Sequence, residues 1–480
     1  MRAEVGALDG EPDHARRAVS GGSGGRRTVS LETHSTSVMI ARMSAEPRKV
    51  RGAPFRRYRA YVGQLQTLMV TAGGGSDWDQ QVTVALDGGA TAELRRVSSL
   101  ATRRKYGAYF TGTVLGDRLL RHCASFDRSR TFYDATCGMG DLLLSAAKRL
   151  PLGRTLEETL AQWGRRLAGT DLHEEFVNGA RIRLALLARQ RHRTRQHLVL
   201  SPDRLFPLIR TGDGFSDSPG FTEPITILLN PPFRRIRSRK PCSWANGRIS
   251  EAAQFLMSAL ERARPGTEIL AILPEVLRSG TFSEHWRTRV GDLAEVHAIH
   301  PYGVFDESAD IDVFLLRLVR RAHGASSPAK KWPLWRPLTG TVAASFDIRV
   351  GRVVPHRDKE IGRRHPYIHA RCVPPWTVMK AFTETRKHGR PAFQPPFVVV
   401  RRTSRPAQPY RATATVVAGN TSVAVENHLI VCSPKDGTLR TCKALMQQLH
   451  TPDANTYLDT RIRCRHLTVS ALAGAPFRPS

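Results

Sequence analysis

Between about residues 95 and 320, short apolar runs alternate with amphipathic segments, and this alternation restricts the fold more than any other feature of the chain. "TFYDA" (131–135), "RLAGTD" (166–171), "ITILL" (225–229), "EILAIL" (268–273), "AEVHAIH" (294–300) and "DVFLLRLV" (312–319) are of strand length. Helical patterns stand between them. "DLLLSAAKRL" (141–150) is one, and in "EEFVNGARIRLALLA" Phe176, Ala180, Leu184 and Leu187 recur at helical spacing. Ser250 opens "SEAAQFLMSALERAR" (250–264) as an N-cap, with Ala252, Phe255, Leu256, Ala259 and Leu260 on one face. The alternation predicts an α/β fold, a doubly wound and mainly parallel sheet with helices on both faces. Ligands of such a sheet sit at the carboxyl ends of its strands.

The flanks read differently. Residues 1–90 contain "GGSGGRR", "RKVRGAPFRRYRAY" and "TAGGGSD", which predict a basic, poorly ordered region with one short helix at 58–70. "GASSPAKKWPLWRP" (324–337) reads as a linker. Beyond it, 338–480 carries short strands, many prolines and one helix, "LRTCKALMQQL", as in a smaller, mostly β domain. The central domain is thus placed at 95–322. Lys and Arg number 73 against 42 Asp and Glu, a net charge of +31 that favours a polyanionic partner, nucleic acid first. The seven cysteines form no CxxC pair, which argues against a zinc ribbon and for no metal. An odd count of scattered cysteines fits a reducing cytoplasm, and no apolar run is long enough for a membrane span.

Four local patterns carry chemistry, in chain order. In "YDATCGMGDLLLSAA" a strand ends at Asp134, a loop holds Gly138 and Gly140, and a helix begins at Asp141. Glycines serve where the backbone passes close to a ligand, and no Gly-Lys-Ser/Thr follows to make a P-loop. Asp171 ends the next strand, where a carboxylate accepts both hydroxyls of a ribose or caps the following helix. "TGDGF" sets Asp213 in a tight turn, placed to accept from an adenine amino group. "LLNPPF" stops a buried strand at Asn230, because the residue before a proline is driven to extended geometry. Asn230 then offers its amide, Pro231 its carbonyl, and Phe233 an aromatic plate.

With these four patterns in this order the sequence resembles the class I methyltransferases that use S-adenosylmethionine. Within them it resembles the adenine-specific DNA methylases, especially modification subunits of type I restriction-modification systems. "DATCGMGD" is similar to their D-P-x-C-G-x-G loop, and "NPPF" to their [DNS]-P-P-[YFW] tetrad. "YGAYFTGTVLGDRLL" (106–120) resembles their G-x-[YF]-[YF]-T-P segment. Ala135, Met139 and Gly112 depart from the pattern, where the family carries proline, a small residue and proline. The resemblance implies a seven-stranded, Rossmann-like methyltransferase sheet and S-adenosylmethionine as cofactor. It implies cofactor contacts from Ala108, Tyr109, Phe110, Thr111, Asp134, Thr136, Cys137, Gly138, Gly140, Asp171, Leu172 and Asp213. It implies a catalytic tetrad of Asn230, Pro231, Pro232 and Phe233 acting on an adenine flipped from double-stranded DNA. Specificity or restriction subunits are further expected partners. The C-terminal domain would then recognise the DNA target, with Arg401, Arg402, Arg405, Arg461, Arg463, Arg465 and His466 as expected DNA contacts. The same tetrad also serves RNA and protein-glutamine methyltransferases, and a non-catalytic DNA-binding subunit is the alternative from another class.

Overall fold

The computed structural model describes residues 54–478 apart from 74, 128–129, 195, 218–219, 222, 239–241, 246, 307–310, 323–331, 333–339 and 407. Its centre is a seven-stranded sheet. The strands are β1 (Phe132–Asp134), β2 (Leu167–Asp171), β3 (Ile209–Thr211), β4 (Thr226–Leu229), β7 (Glu268–Pro274), β8 (Ala294–Val304) and β9 (Asp312–Arg320). A hairpin of β5 (Arg235–Arg237) and β6 (Arg248–Ser250) intervenes in sequence. The order across the sheet is β3-β2-β1-β4-β7-β9-β8. Only β9 runs against its neighbours, so the sheet is mainly parallel and doubly wound, as the alternation predicts. The chain winds outward from β1 in both directions, which opens the switch-point crevice between β1 and β4.

Each central strand is buried on both faces, hence its unbroken apolar run. Phe132, Leu228, Leu270 and Ile272 enter one core, while Tyr133, Ile227, Leu229, Ile269 and Ala271 enter the other. Helices α5 (Thr113–Leu120), α6 (Asp141–Ala147), α7 (Leu156–Arg166) and α8 (Glu174–His192) cover the first face. Helices α10 (Glu251–Arg262) and α12 (Glu284–Leu293) cover the second. Ser250 caps α10 as expected, accepting from the Ala253 N–H.

The expectation of poor order to residue 90 fails from residue 54 onward; residues 1–53 lie outside the described part. Helices α1 (Arg59–Val70), α2 (Ser76–Leu86), α3 (Gly89–Val97) and α4 (Leu100–Tyr106) follow in succession. Phe55, Tyr58, Leu65, Met69, Val82 and Leu94 join the same core as α6 and α8. The first of these helices is the short helix expected at 58–70, and α1 and α2 are held from outside. Arg189 of α8 is fully buried and donates to the carbonyls of Leu68, Met69 and Thr71 at the end of α1. Arg183 does the same for Ala85 and Leu86 at the end of α2. A cation at a helix C-terminus satisfies orphan carbonyls and complements the dipole.

The linker expected at 324–337 lies almost wholly outside the described residues; Trp332 is described and buried against Trp286 and Phe314. The C-terminal part holds a five-stranded sheet, β10 (Phe346–Val350), β17 (Leu429–Pro434), β14 (Phe397–Arg401), β15 (Ala414–Val417) and β12 (Val378–Met379), in that order. A three-stranded sheet, β13 (Glu384–His388), β11 (Arg363–Ile368) and β16 (Ala424–Val425), stands beside it. It is less purely β than expected: α14 (Leu439–Leu449) is followed by α15 (Pro452–Arg461) and α16 (Val469–Ala473), each capped by a threonine hydroxyl. No helix among the described residues is long and apolar enough to cross a membrane.

Candidate active site

The carboxyl ends of four adjacent strands place the four motifs side by side. β1 delivers Asp134 and the glycine loop, β2 Asp171, β3 Asp213, and β4 Asn230. The loop is tied to the next strand: the Gly138 N–H donates to Asp171 Oδ2 at 3.0 Å, and the Cys137 N–H to the Thr170 carbonyl at 2.9 Å. Gly140 has φ 81°, and a Cβ there would stand 3.0 Å from Ala180 of α8. The other Asp171 oxygen accepts from the His173 N–H at 2.9 Å. Each oxygen keeps a second lone pair for a ligand hydroxyl. Asp213 folds its own turn, accepting from the Phe215 N–H at 3.1 Å.

These groups border one shared cleft. Tyr109, Phe110, Thr136, Gly138, Asp171, Leu172, Asp213, Asn230 and Pro232 line it. Cys137 and Gly140 shape the loop from beneath instead, and Asp134 is buried under it. Pro231 is buried at the strand end. Phe233 stands beside the cleft, edge-on to Phe305 at 5.3 Å between ring centres. A second hollow lies between Tyr133, Ile227 and Phe255. Its charged groups are Asp217, Glu223, Arg262 and Arg264, and none of Asp171, Asp213 or Asn230 lines it.

Thr111 does something the sequence did not disclose. The Asn230 Nδ2 donates to Thr111 Oγ1 at 2.9 Å, which leaves the amide oxygen of Asn230 as its acceptor for a ligand. Thr111 is itself held from behind. The next N–H, of Gly112, donates to Asp141 Oδ2 at 2.7 Å, and the other Asp141 oxygen meets Arg183 at 2.8 Å. Arg183 is 1% exposed and also donates to the Met139 carbonyl in the glycine loop. One buried guanidinium therefore links α2, the loop and the Thr111 segment. Glu251 and Arg234 were missed as well. Both line the cleft, joined by two bonds of 2.7 and 2.9 Å. Only long-range contacts define this pair, so no local pattern announces it.

The electrostatics favour a cationic, hydrogen-bonding ligand. Burial pushes the Asp134 carboxyl up to about 8, opposed by the Thr136 N–H and reinforced by Asp171 and Asp141. Burial also raises Asp171 and lowers the neighbouring His173. Among the described residues Arg183 pairs with Asp141, and no salt bridge reaches Asp134 or Asp171. Tyr109 Oη and Thr136 Oγ1 are buried at the cleft without a partner. Orphaned polar atoms of this kind cost free energy unless a ligand or water meets them. The donor set thus fits a ligand with hydroxyls, an amino group and positive charge.

Four of the expected DNA-contacting arginines turn inward. Arg401 donates to the Val373 carbonyl, Arg402 to that of Asn427, and Arg463 faces Asp312 at 3.9 Å. Arg461 is half-buried at the junction with the catalytic part. Backbone carbonyls in an arginine-rich chain compete for guanidinium donors, and sequence spacing does not show which wins. Arg405, Arg465 and His466 remain exposed.

The strand order defines the fold of the molecule: a doubly wound, mainly parallel α/β sheet with one antiparallel strand. A search of protein-family models and of curated proteins finds no match. Solved structures do align. The chain is similar to the type IIL restriction-modification enzyme MmeI in complex with DNA, at 10% identity and TM-score 0.48, over 80% of this chain and 70% of that one. It is similar to the DrdV–DNA complex at 12% identity and TM-score 0.45, over 85% and 59%. It is similar to a type I restriction-modification methyltransferase subunit from Streptococcus thermophilus at 17% identity and TM-score 0.32, over 46% and 48%. At these scores the likenesses decide nothing about the reaction; the residues of the cleft carry that question.

Proposed function

We propose that this chain transfers the methyl group of S-adenosylmethionine to the exocyclic amino group of an adenine flipped out of duplex DNA, in a restriction-modification or phage-defence system. Separate specificity or restriction subunits are its proposed partners. The observation that supports this best is the shared cleft: Gly138 and Asp171 border the same space as Asn230 and Pro232. Asp171 would hold the ribose hydroxyls and Asp213 the adenine amino group of the cofactor. The bound cofactor supplies a methyl on a sulfonium, which already has a good leaving group.

The protein's task is then largely to position. An adenine amine is a poor nucleophile because its lone pair is delocalised into the ring. The Asn230 amide oxygen and the Pro231 carbonyl would each accept one amine hydrogen and turn the lone pair toward the methyl carbon. The nitrogen–carbon bond forms as the carbon–sulfur bond breaks, and one amine proton leaves to solvent. Orientation of this kind lowers a barrier by about 7–11 kcal/mol. The reading needs no strong base, and Glu251, a carboxylate of the cleft, is engaged by Arg234.

The test is methyl incorporation from labelled cofactor into DNA, RNA and protein acceptors. Wild-type protein should label adenine in duplex DNA. Asn230→Ala should lose at least about 100-fold in turnover, the scale of a lost positioned group, with cofactor binding retained in calorimetry. Undiminished turnover in that variant, or label found only in RNA or protein, would contradict the proposal.

A further inference from the structure

The hairpin that follows the tetrad is one-sided. Arg235 stands opposite Ser250, Ile236 opposite Ile249, and Arg237 opposite Arg248. Opposed residues of an antiparallel pair share a face, and alternate residues change face. Ile236 and Ile249 therefore lie on one side and Arg235, Arg237 and Arg248 on the other. The isoleucine side is seated in the second core, with Ile249 4% exposed. The three arginines of the other side are exposed.

Two features set this face apart from the general basic surface. Arg237 and Arg248 are directly opposed like charges, an arrangement that destabilises a hairpin unless something neutralises it. Among the described residues neither they nor Arg235 pairs with a carboxylate, whereas Arg234, at the root, is locked onto Glu251. The arginines are nonetheless held in place. Arg235 Nη2 donates to the Arg248 carbonyl at 2.6 Å, and Arg248 Nη2 to that of Arg235 at 2.7 Å. The second feature is position. Arg234 and Glu251, which bracket the hairpin in sequence, both line the cleft next to Asn230 and Pro232.

We propose that the arginine face of β5–β6 grips the phosphate backbone of the DNA strand that delivers the acceptor base. This rests on the function proposed above. Arg235 and Arg237 are about 6.7 Å apart along the strand, close to one phosphate step of a nucleic-acid strand. Extruding a base costs a few kcal/mol, and backbone contacts beside the exit point offset that cost without reading sequence.

The experiment measures binding rather than turnover. In the full chain, Arg235→Gln, Arg237→Gln and Arg248→Gln are combined, and affinity for a labelled duplex is followed by anisotropy between about 50 and 200 mM salt. Each phosphate contact contributes about 0.9 to the slope of log K on log salt. The wild type should therefore lose about 40-fold more affinity across that range than the variant, on any duplex sequence. Arg→Lys at the same three positions should keep most of the slope. Unchanged cofactor binding in calorimetry shows that the variants fold. Removing three exposed charges from the β11–β13 pair, by Arg363→Gln, Arg364→Gln and Lys387→Gln, should change the slope less. An equal change there, an unchanged slope in the hairpin variant, or a slope difference on RNA but not on duplex DNA overturns the proposal. A wild type that binds duplex but no S-adenosylmethionine sinks the methyltransferase reading and leaves the hairpin comparison intact.

Discussion

Asp134 and Thr111 show how single residues carry this site. The Asp134 carboxyl titrates at about 8 in the fold and near 3.9 in an unfolded chain. Between those values the folded protein holds a proton that the unfolded chain has released. This contribution to stability is thus complete below about pH 4 and lost as pH rises through about 8. The Tm of Asp134→Asn minus that of wild type should therefore increase from pH 5 to pH 8; a flat difference would refute the buried, protonated state. A cation bound beside the loop favours the ionised form, so cofactor binding should release protons at pH 7, and less so in Asp134→Asn. Thr111 makes a separate claim. Thr111→Val removes the acceptor that orients Asn230, a bond worth about 1 kcal/mol or somewhat more. We expect turnover to fall about 5- to 15-fold with cofactor affinity unchanged, and Thr111→Ser to restore it. A loss seen only in cofactor affinity would make Thr111 a cofactor ligand instead.

At the level of elements, the strands were legible because period and flanking residues agree. "ITILL" ends in Asn-Pro-Pro, and the structure stops β4 at Leu229. Ser250 was readable as a cap because capping is local. Helix α1 was legible as the short helix at 58–70, whereas α2 was hidden because its end is held by Arg183 of α8, 98 residues away from Ala85. The motif order foretold a common cleft, but not that Thr111 bonds Asn230, since that contact joins segments far apart in sequence. Arg183 makes the dependence testable. Arg183→Met would strand the buried Asp141 carboxylate and the carbonyls of Ala85 and Leu86. Breaking a buried pair in this way costs about 3–5 kcal/mol. Denaturant unfolding should show that loss, and hydrogen exchange should show α2 opening first. Adding Asp141→Asn should recover part of the stability, because the uncompensated charge is gone.

For the whole molecule, the question is how the C-terminal part is held at the rim where the cleft opens. A buried ion pair of the central part receives its backbone. Glu275, just past β7, and Arg278 in α11 (Glu275–Ser279) are 2% and 4% exposed. Arg278 also donates to the Thr460 carbonyl at 2.9 Å, and the Arg463 N–H donates to Glu275 at 3.3 Å. The junction therefore sits at the carboxyl end of β7, beside the end of β4 that carries the tetrad. On the proposed function, a basic C-terminal part fixed there would keep a duplex within reach of the cleft. Arg278→Met leaves Glu275 charged, buried and unpaired, so it should cost about 3–5 kcal/mol. Pairing it with Glu275→Leu removes both charges and should be milder, since replacing a whole buried pair is often neutral. In calorimetry the single variant should split unfolding into two transitions, the C-terminal part melting first. It should also lose duplex binding while keeping cofactor binding. If the double variant is as unstable as the single one, the ion pair is not what holds the two parts together, and the contact of Arg463 with Asp312 must carry the junction instead.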